Sequence, residues 1–258
     1  MFKEYGKLST ILYEHTKPVG HSIEGDIEFY AESLKGVSGA VLEAGVGTGR
    51  VLIPLIQQGF AVEGIDLSAQ MLTQCQANLQ THDIRANLYQ QDLTNMSLPT
   101  KYQAIIMPTG SFCLLPRDLA GKVLNSFFEH LVHGGKVIID LLLPTSFREG
   151  DVNAYDYPMA DGTGILFTSY SKTMDWASQK TAYVHKYEML KDGEIQETEV
   201  SHFVVHWYGI REFEMMLKLA GFTEIDHIIG YGKKPAKPHN IYSYKKIKEI
   251  NLWIIPKR

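Results

Sequence analysis

Short apolar runs alternate with helix-length segments along residues 40–143, and this alternation predicts the central architecture of the chain. Runs rich in Val, Ile and Leu predict buried strands, and apolar residues at helical spacing predict the helices between them. The strands are predicted near 40–44, 61–66, 86–90, 103–107 and 136–142, and the helices near 50–58, 69–80 and 117–132. This pattern is typical of the α/β class, in which helices cover both faces of a mostly parallel sheet.

Residues with strong positional preferences mark where several helices begin and end. Ser68 is expected to cap the second of these helices, and Gly134-Gly135 is expected to stop the third one at His133. Asp26 is expected to cap a helix within the N-terminal segment, residues 1–36. This segment is therefore predicted to be a helical cap on the core.

The pattern changes after residue 150. Runs of β-branched and aromatic residues then follow one another without a helix-length segment between them. The runs span 165–176, 181–190 and 194–207. Asp192-Gly193 is a strong signal for a tight hairpin between the last two runs. We predict an antiparallel insertion of two to four strands, followed by a helix over 210–219.

Composition narrows the class of protein. The chain has 258 residues, of which 45% are hydrophobic and 21% charged, as expected for one globular domain with an insertion. No apolar run approaches the length of a membrane span, and Met1–Lys7 lacks the apolar core of a secretion signal. Only two cysteines occur, so we expect no disulfide framework and a cytoplasmic protein.

The charge balance gives no reason to expect nucleic acid as a partner. The formal net charge is -4 at pH 7. Lysines do cluster near the C-terminus, where a solvated loop and strand edge is the ordinary interpretation. They are Lys233, Lys234, Lys237, Lys245, Lys246 and Lys248.

The segment Val41–Arg50 is the most informative one in the chain. An apolar run with Glu43 near its end leads into Gly45-Val46-Gly47-Thr48-Gly49-Arg50. Glycine at every second position lets the backbone of a strand-to-helix turn approach a ligand closely. A dinucleotide-binding loop has glycine or alanine where Arg50 stands, so this loop disfavours a nicotinamide dinucleotide.

Two further acids follow the ends of the next two predicted strands. Asp66 ends Gly64-Ile65-Asp66 about 20 residues beyond the glycine loop, where a carboxylate can accept from both hydroxyls of a ribose. Asp92 stands in Gln91-Asp92-Leu93 after the third strand. The three strand ends are expected to converge on one nucleoside.

These segments together resemble the class I S-adenosylmethionine-dependent methyltransferase superfamily. The resemblance covers roughly residues 38–145 and, more weakly, Leu219–Phe222. It rests on Glu43–Gly49, on Gly64–Ser68 with Met71-Leu72, and on Gln91–Leu93. It implies a Rossmann-like, doubly wound, mostly parallel seven-stranded sheet, with the antiparallel β insertion before the last helix. The last two strands are expected near 223–230 and 247–255.

The resemblance implies S-adenosyl-L-methionine as the cofactor and assigns residues to its parts. The backbone of the loop would meet the amino-acid tail and the ribose, and Glu43 would order that loop. Asp66 would hold the ribose hydroxyls, and Asp92 the exocyclic amine of the adenine. The remaining nucleoside contacts and the loop residues are Gly45, Val46, Gly47, Leu67, Met71 and Leu93.

The tail of the cofactor has less specific candidates. Thr109 and Ser111 follow the fourth strand and are expected either to contact the tail or substrate, or to form a polar loop only. Tyr5, Tyr13 and Arg50 are candidates for clamping the cofactor carboxylate. Arg50 suits a solvated helix start equally well.

The sequence does not identify a catalytic group. His206, Tyr208 and His202 are weak candidates on the last run of the insertion. On the run before it, Tyr183, His185 and Tyr187 alternate, so each set is expected to share one face of a sheet. Histidines and tyrosines in such positions are also common structural residues. The histidine spacing is not that of a metal site, and Cys113 is expected to be a packed thiol.

The expected function is methyl transfer to a small-molecule acceptor. A nicotinamide-dependent oxidoreductase and a non-catalytic cofactor-binding module stay open as alternatives. The four predicted parts are a cap at 1–36, a cofactor-binding core at 37–150, an insertion at 151–208 and the final helix and strands at 209–258. The insertion is expected to form a lid or the surface of a homodimer.

Overall fold

The computed structural model describes residues 5–232 and 241–247. It contains six α-helices and eleven strands within those residues. The helices are α1 Lys7–Thr16, α2 Asp26–Ser33, α3 Leu52–Gln57, α4 Ala69–Thr81, α5 Ala120–His130 and α6 Ile210–Leu219. The strands are β1 Val41–Ala44, β2 Val62–Asp66, β3 Leu88–Gln90, β4 Tyr102–Met107, β5 Leu131–Leu142, β6 Val152–Pro158, β7 Thr163–Asp175, β8 Lys180–Lys191, β9 Glu194–His206, β10 Asp226–Ile229 and β11 Ile241–Ile247.

The central sheet has five parallel strands in the order β5-β4-β1-β2-β3. Two antiparallel strands, β11 and β10, continue it beyond β5. β2 and β3 lie on one side of β1, and β4 and β5 lie on the other side. This switch in strand order places a crevice at the carboxyl ends of the strands around β1. The predicted α/β class with a parallel sheet is confirmed.

Apolar side chains cover both faces of this sheet. On one face α5 and α6 pack through residues such as Phe127 and Phe213, and on the other α2, α3 and α4 pack through residues such as Tyr30 and Leu79. All four of these side chains are fully buried. Strands buried on both sides explain why their sequences read as continuous apolar runs.

The predicted insertion is a second, antiparallel sheet in the order β6-β7-β8-β9. The hairpin at Asp192-Gly193 is present, with φ of 52° and 81° at the two residues. A separate apolar cluster joins Leu8 and Leu12 of α1 to Ile165 and Tyr187 of this sheet. The N-terminal helix is therefore packed on the insertion and not only on the core.

One helix end was predicted wrongly. α5 ends at His130, and Leu131 is already extended and pairs with Tyr102 of β4. The next paired residue of β5 is Lys136, so residues 132–135 form a bulge in which Gly134 has a φ of 73°. Gly134-Gly135 therefore lies in a bulge of β5 and does not end a helix at His133.

Two smaller expectations also need correction. Gly25, with a φ of 88°, is the residue that precedes α2, so Asp26 is its first residue and not its cap. The last described strand is Ile241–Ile247, which shares only Ile247 with the predicted strand at 247–255. The rest of that predicted range, and Lys233, Lys234, Lys237 and Lys248, lie outside the described residues.

Candidate active site

The glycine loop after β1 has a backbone that only glycine adopts easily. Gly45, Gly47 and Gly49 all have positive φ, of 72°, 55° and 84°. A Cβ at Gly49 would lie 2.9 Å from Sγ of Cys75, whereas a Cβ at Gly47 would meet nothing within 4 Å. The loop is thus packed against α4 on one side and open at Gly47 on the other, as a ligand-binding loop must be.

Asp66 ties the end of β2 to this loop. Its two carboxylate oxygens accept one hydrogen bond each, from the backbone N–H of Gly47 at 2.9 Å and of Ser68 at 2.9 Å. Burial raises the pKa of the carboxyl group, and these N–H donors oppose the rise. Each oxygen keeps a lone pair, so the carboxylate can still accept from the two hydroxyls of a ribose.

The residues expected around the adenine lie at the ends of β2 and β3. Asp92 is exposed, and one of its oxygens accepts from the backbone N–H of Thr94 at 2.8 Å. Met71 and Leu93 are buried, whereas 67% of Leu67 is exposed beside Asp66. Ser68 caps α4 as predicted, because its hydroxyl accepts from the N–H of Met71.

Arg50 is neither solvated nor free to move. It is 2% exposed, and its guanidinium pairs with Asp26 at 2.5 Å and donates to the carbonyl oxygen of His21 and to the hydroxyl of Thr109. The hydrogen bond between Arg50 and Tyr13 lowers the pKa of that phenol, although burial raises it more. The structure therefore brings together Arg50 and Tyr13, two of the residues predicted to bind the cofactor carboxylate. The alternative, that Arg50 is a solvated residue at a helix start, is wrong.

Glu43 is buried at the end of β1, and one of its oxygens has no partner among the described residues. Burial raises the pKa of its carboxyl group to about 8, although nearby Arg50 lowers it. Nε of Arg50 is a second buried polar atom without a described partner. Unsatisfied buried groups beside an open loop fit a polar ligand that completes their hydrogen bonds.

The segment after β4 adopts a strained turn. Thr109 has a φ of 56°, and its N–H donates to the carboxylate of Asp140 at 2.7 Å. Asp140 is fully buried and also accepts from the hydroxyl of Tyr231 at 2.7 Å. Ser111 lies against Gly45, whose Cβ would be 3.2 Å from it. Sequence reasoning missed Asp140, although an acid inside an apolar β5 run is a signal that something polar faces it.

A cleft of about 390 Å³ opens between the carboxyl end of β5 and the insertion. We call it the aromatic cleft, because four of its side chains are aromatic rings and a fifth is an imidazole. Its lining residues are Ile23, Glu24, Leu142, Leu143, Pro144, Ser146, Phe147, Thr181, Tyr183, His185, Phe203, Val205 and Trp207.

The three candidate catalytic residues on the last part of the insertion do not line this cleft. His202 pairs with Val184, so it lies on the face of the sheet opposite to His185. His206 lies on that same face, and its Nδ1 is buried without a described partner. Tyr208 is 1% exposed and packs between Phe112 and Phe213. A catalytic role for them stays a prediction, and the described residues contain no cluster suited to a metal ion.

Comparison with known proteins identifies the fold and the domain. Residues 41–135 match the family described as a methyltransferase domain. Residues 41–135 therefore form a methyltransferase domain. The domain match confirms the predicted methyltransferase class, and it supports the predicted cofactor over the nicotinamide alternative.

Similar proteins include both curated sequences and solved structures. A glycine/sarcosine N-methyltransferase of Aphanothece halophytica is 31% identical over 47% of this chain and 49% of that protein. An S-adenosylmethionine-dependent methyltransferase from Clostridium acetobutylicum ATCC 824 superposes with a TM-score of 0.76 at 18% identity, over 93% of this chain and 97% of that one. The sugar N-methyltransferase KedS8 from Streptoalloteichus sp ATCC 53650 gives 0.77 at 15% identity, over 97% and 96%.

Proposed function

We propose that this protein transfers the methyl group of S-adenosyl-L-methionine to a small molecule bound in the aromatic cleft. The observation that carries the proposal is the position of the cleft. It begins at the carboxyl end of β5, in the same row of strand ends that holds the glycine loop and Asp66. In open α/β sheets, ligands bind outside these carboxyl ends, so two ligands here would lie side by side.

Thirteen residues are proposed to hold the cofactor. Asp66 accepts from the ribose, and Asp92 from the adenine amine, while Arg50 and Tyr13 receive the carboxylate end through the guanidinium and the phenol. Glu43 supports the loop at the end of β1. The full set is Tyr13, Glu43, Gly45, Val46, Gly47, Arg50, Asp66, Leu67, Met71, Asp92, Leu93, Thr109 and Ser111.

The residues of the two sites act mainly by position. When bound, the cofactor would supply an electrophilic methyl group on its sulfonium, and transfer of that group to the acceptor would leave a neutral thioether. Holding the acceptor in line can contribute on the order of 7–11 kcal/mol, so few reactive side chains are needed. The rings of Phe147, Phe203 and Trp207 keep water away from the acceptor, as a reaction that loses charge on sulfur requires.

We propose a primary or secondary amine as the acceptor group. KedS8 is a sugar N-methyltransferase, and the Aphanothece halophytica relative methylates glycine and sarcosine by name. CalS10 of Micromonospora echinaspora, another structural neighbour, is an amino pentose methyltransferase. An amino sugar, with an apolar ring face and one nitrogen, would suit an aromatic-walled cleft of this volume.

The remaining expectations form part of the same proposal. The insertion at 151–208 would serve as the lid of the cleft on a cofactor-binding core at 37–150, with the cap at 1–36 above it. The strands within 209–258 would complete a seven-stranded sheet. We propose a cytoplasmic protein that binds no nucleic acid, on the grounds of its two cysteines and its net charge of -4. A homodimer would use the outer face of the insertion, where Val152 and Tyr170 are exposed.

Titration calorimetry with S-adenosylmethionine and with its demethylated product tests the cofactor site. Wild-type protein is expected to bind both, and Asp66→Asn to bind at least about tenfold more weakly, because asparagine is uncharged and has only one acceptor oxygen for the two ribose hydroxyls. Asp83→Asn is the matched control, since Asp83 is exposed at the end of α4 and asparagine tolerates its φ of 52°. Failure of the wild type to bind either ligand would overturn the proposal.

A panel of acceptors then separates an enzyme from a non-catalytic module. The panel contains an amino sugar, glycine, sarcosine and a catechol, each with saturating methyl donor. Methylation of an amine, detected by mass spectrometry, is expected. Methylation of the catechol alone would mean that the acceptor atom is oxygen and not nitrogen. Binding of the cofactor without methylation of any acceptor would favour a non-catalytic cofactor-binding module.

A further inference from the structure

One imidazole lies inside the aromatic cleft, and four rings fix its orientation. His185 of β8 stacks on Phe203 of β9, with centroids 4.9 Å apart and planes at 23°. The edge of Phe167 meets it at 5.2 Å, and Tyr183 and Tyr187 flank it on its own strand at 5.8 and 6.3 Å. A ring confined in this way presents its nitrogens in fixed directions, which suits a group that orients a ligand.

The surroundings of His185 keep this ring uncharged. Burial lowers the pKa of His185 to about 4, since no carboxylate lies close enough to oppose it. The ionisable groups facing it are the phenols of Tyr183 and Tyr187, whose pKa burial raises, and two acids. Glu199 of β9 is bound to the start of α1, and Glu24 of the loop before α2 is exposed where that loop meets the cleft.

We propose that the neutral imidazole of His185 accepts a hydrogen bond from the nucleophilic N–H of the methyl acceptor, and so selects the uncharged amine. This inference rests on the function proposed above. An ammonium ion would lose its hydration between apolar rings, which is costly without a paired carboxylate. A free amine that donates one N–H to the imidazole keeps its lone pair for attack on the methyl group. The proton of the ammonium ion goes to solvent before the amine binds. After transfer the nitrogen carries, as a methylated ammonium ion, the positive charge that the sulfonium loses on becoming a neutral thioether.

The register of the insertion explains why His185 is chosen over the other histidines. It pairs with Ser201, so the odd-numbered residues of β9 share its face, and Phe203 and Val205 indeed line the cleft. His202 and His206 are even-numbered and project from the other face. His185 is thus the histidine of the described residues that the cleft contains.

Steady-state kinetics of two substitutions tests the proposal with the amine that the wild type methylates. His185→Phe keeps a ring against Phe203 but removes the acceptor, and His185→Gln restores an acceptor oxygen. We expect kcat/KM for the amine to fall about tenfold in His185→Phe and to recover largely in His185→Gln, with unchanged Kd for S-adenosylmethionine. His82→Phe, at the exposed end of α4, is the control. A His185→Phe variant with wild-type kcat/KM would overturn the proposal.

The pH dependence distinguishes selection of the free amine from capture of the ammonium ion. In the wild type, kcat/KM is expected to rise with pH up to the pKa of the amine and then to level off. A fall of kcat/KM above that pKa would mean that the charged form binds, with Glu24 as its partner, and would also overturn the proposal.

Chemical labelling of the wild type avoids any effect of substitution on folding. Diethyl pyrocarbonate, which modifies neutral imidazole, is expected to label His185, and the amine with S-adenosylhomocysteine to protect it, as mapped by peptide mass spectrometry. Lack of labelling, or labelling without protection, would contradict the proposal. Failure of the proposed function looks different, because the wild type would then bind no methyl donor or would methylate no amine.

Discussion

At the scale of single residues, a buried ion pair lies beside the carboxyl end of β1. Asp26 and Arg50 are 0% and 2% exposed, and their ion pair joins the N-terminal cap to the glycine loop. A buried pair contributes little over an apolar one, but removing one partner leaves the other charged in a dry environment. The pair is therefore better understood as a device that fixes the guanidinium beside the cofactor site than as a source of stability.

Substitution of Asp26 by alanine should destabilise the protein strongly. Arg50 would stay buried without a carboxylate, so we expect the free energy of unfolding to fall by about 3–5 kcal/mol. Urea denaturation followed by circular dichroism measures this difference. Glu28→Ala, an exposed acid on the same helix, should cost less than about 1 kcal/mol. Equal midpoints for the two variants would show that the ion pair does not hold Arg50.

Glu43 should make the protein less stable as pH rises, because the pKa of its carboxyl group is raised in the folded state. The folded protein keeps its proton up to about pH 8, whereas an unfolded glutamate releases it near 4.5. The folded state therefore binds more protons in this window, so the contribution of Glu43 to stability is lost as pH rises from 4.5 to 8.

The substitution Glu43→Gln tests this directly, because glutamine does not titrate. Urea unfolding at pH 5, 6, 7 and 8 should show that the wild type loses more stability than the variant as pH rises. Parallel curves for the two proteins would mean that Glu43 is ionised in the folded state.

At the scale of elements, local signals were sufficient where one residue decides a boundary. Ser68 caps α4 and Gly221 follows α6, so both helices were predicted closely. The end of α5 was not, because a glycine pair suits a bulge as well as a helix stop, and only the pairing of Leu131 with Tyr102 decides between them. The sequence around Leu131 does not indicate that it pairs with a residue of β4.

In the candidate site too, local sequence places some residues, whereas others are placed by contacts between distant parts of the chain. Asp66 could be assigned a place from the sequence because the strand, the loop and the acid are close along the chain. The contacts of Arg50 with Asp26, and of Thr109 with Asp140, span 24 and 31 residues and depend on the packing of the cap and of β5. The face of the insertion on which His185 lies depends on the register between β8 and β9, which alternation alone does not set.

The start of α1 is held by a side chain of another element. Glu199 of β9 accepts from the N–H of Leu8 at 2.7 Å and from the hydroxyl of Ser9 at 2.6 Å, as a cap supplied by the insertion. A Cβ at Gly6, the residue before α1, would lie 2.6 Å from this carboxylate. An acid at a helix N-terminus is stabilising through the exposed N–H groups and the helix dipole.

Glu199→Ala should therefore loosen α1. Loss of the cap is expected to cost about 1 kcal/mol, which speeds amide hydrogen exchange within Lys7–Thr16 roughly fivefold if the helix opens locally. Glu197→Ala removes only the exposed pair with Lys7 and should change exchange little. Equal exchange in both variants would show that the apolar contacts of Leu8 and Leu12 hold the helix alone.

At the scale of the whole molecule, α1 is the physical link between the two sheets. It packs on the insertion through Leu8 and Leu12, and the carbonyl oxygen of Tyr5 accepts from the hydroxyl of Ser68 beside the cofactor loop at 3.0 Å. Tyr13 reaches Arg50 from the same helix. A ligand that orders the strand ends should therefore also order a helix that belongs, by packing, to the other sheet.

Hydrogen exchange with and without S-adenosylmethionine tests this coupling. At a ligand concentration 100 times Kd, binding stabilises the folded state by about 2.7 kcal/mol, and we expect slower exchange both in the glycine loop and in α1. In Glu199→Ala the loop should remain protected while exchange in α1 rises about fivefold, because the insertion no longer caps the start of the helix. Protection confined to the loop in the wild type would mean that α1 does not respond to the cofactor.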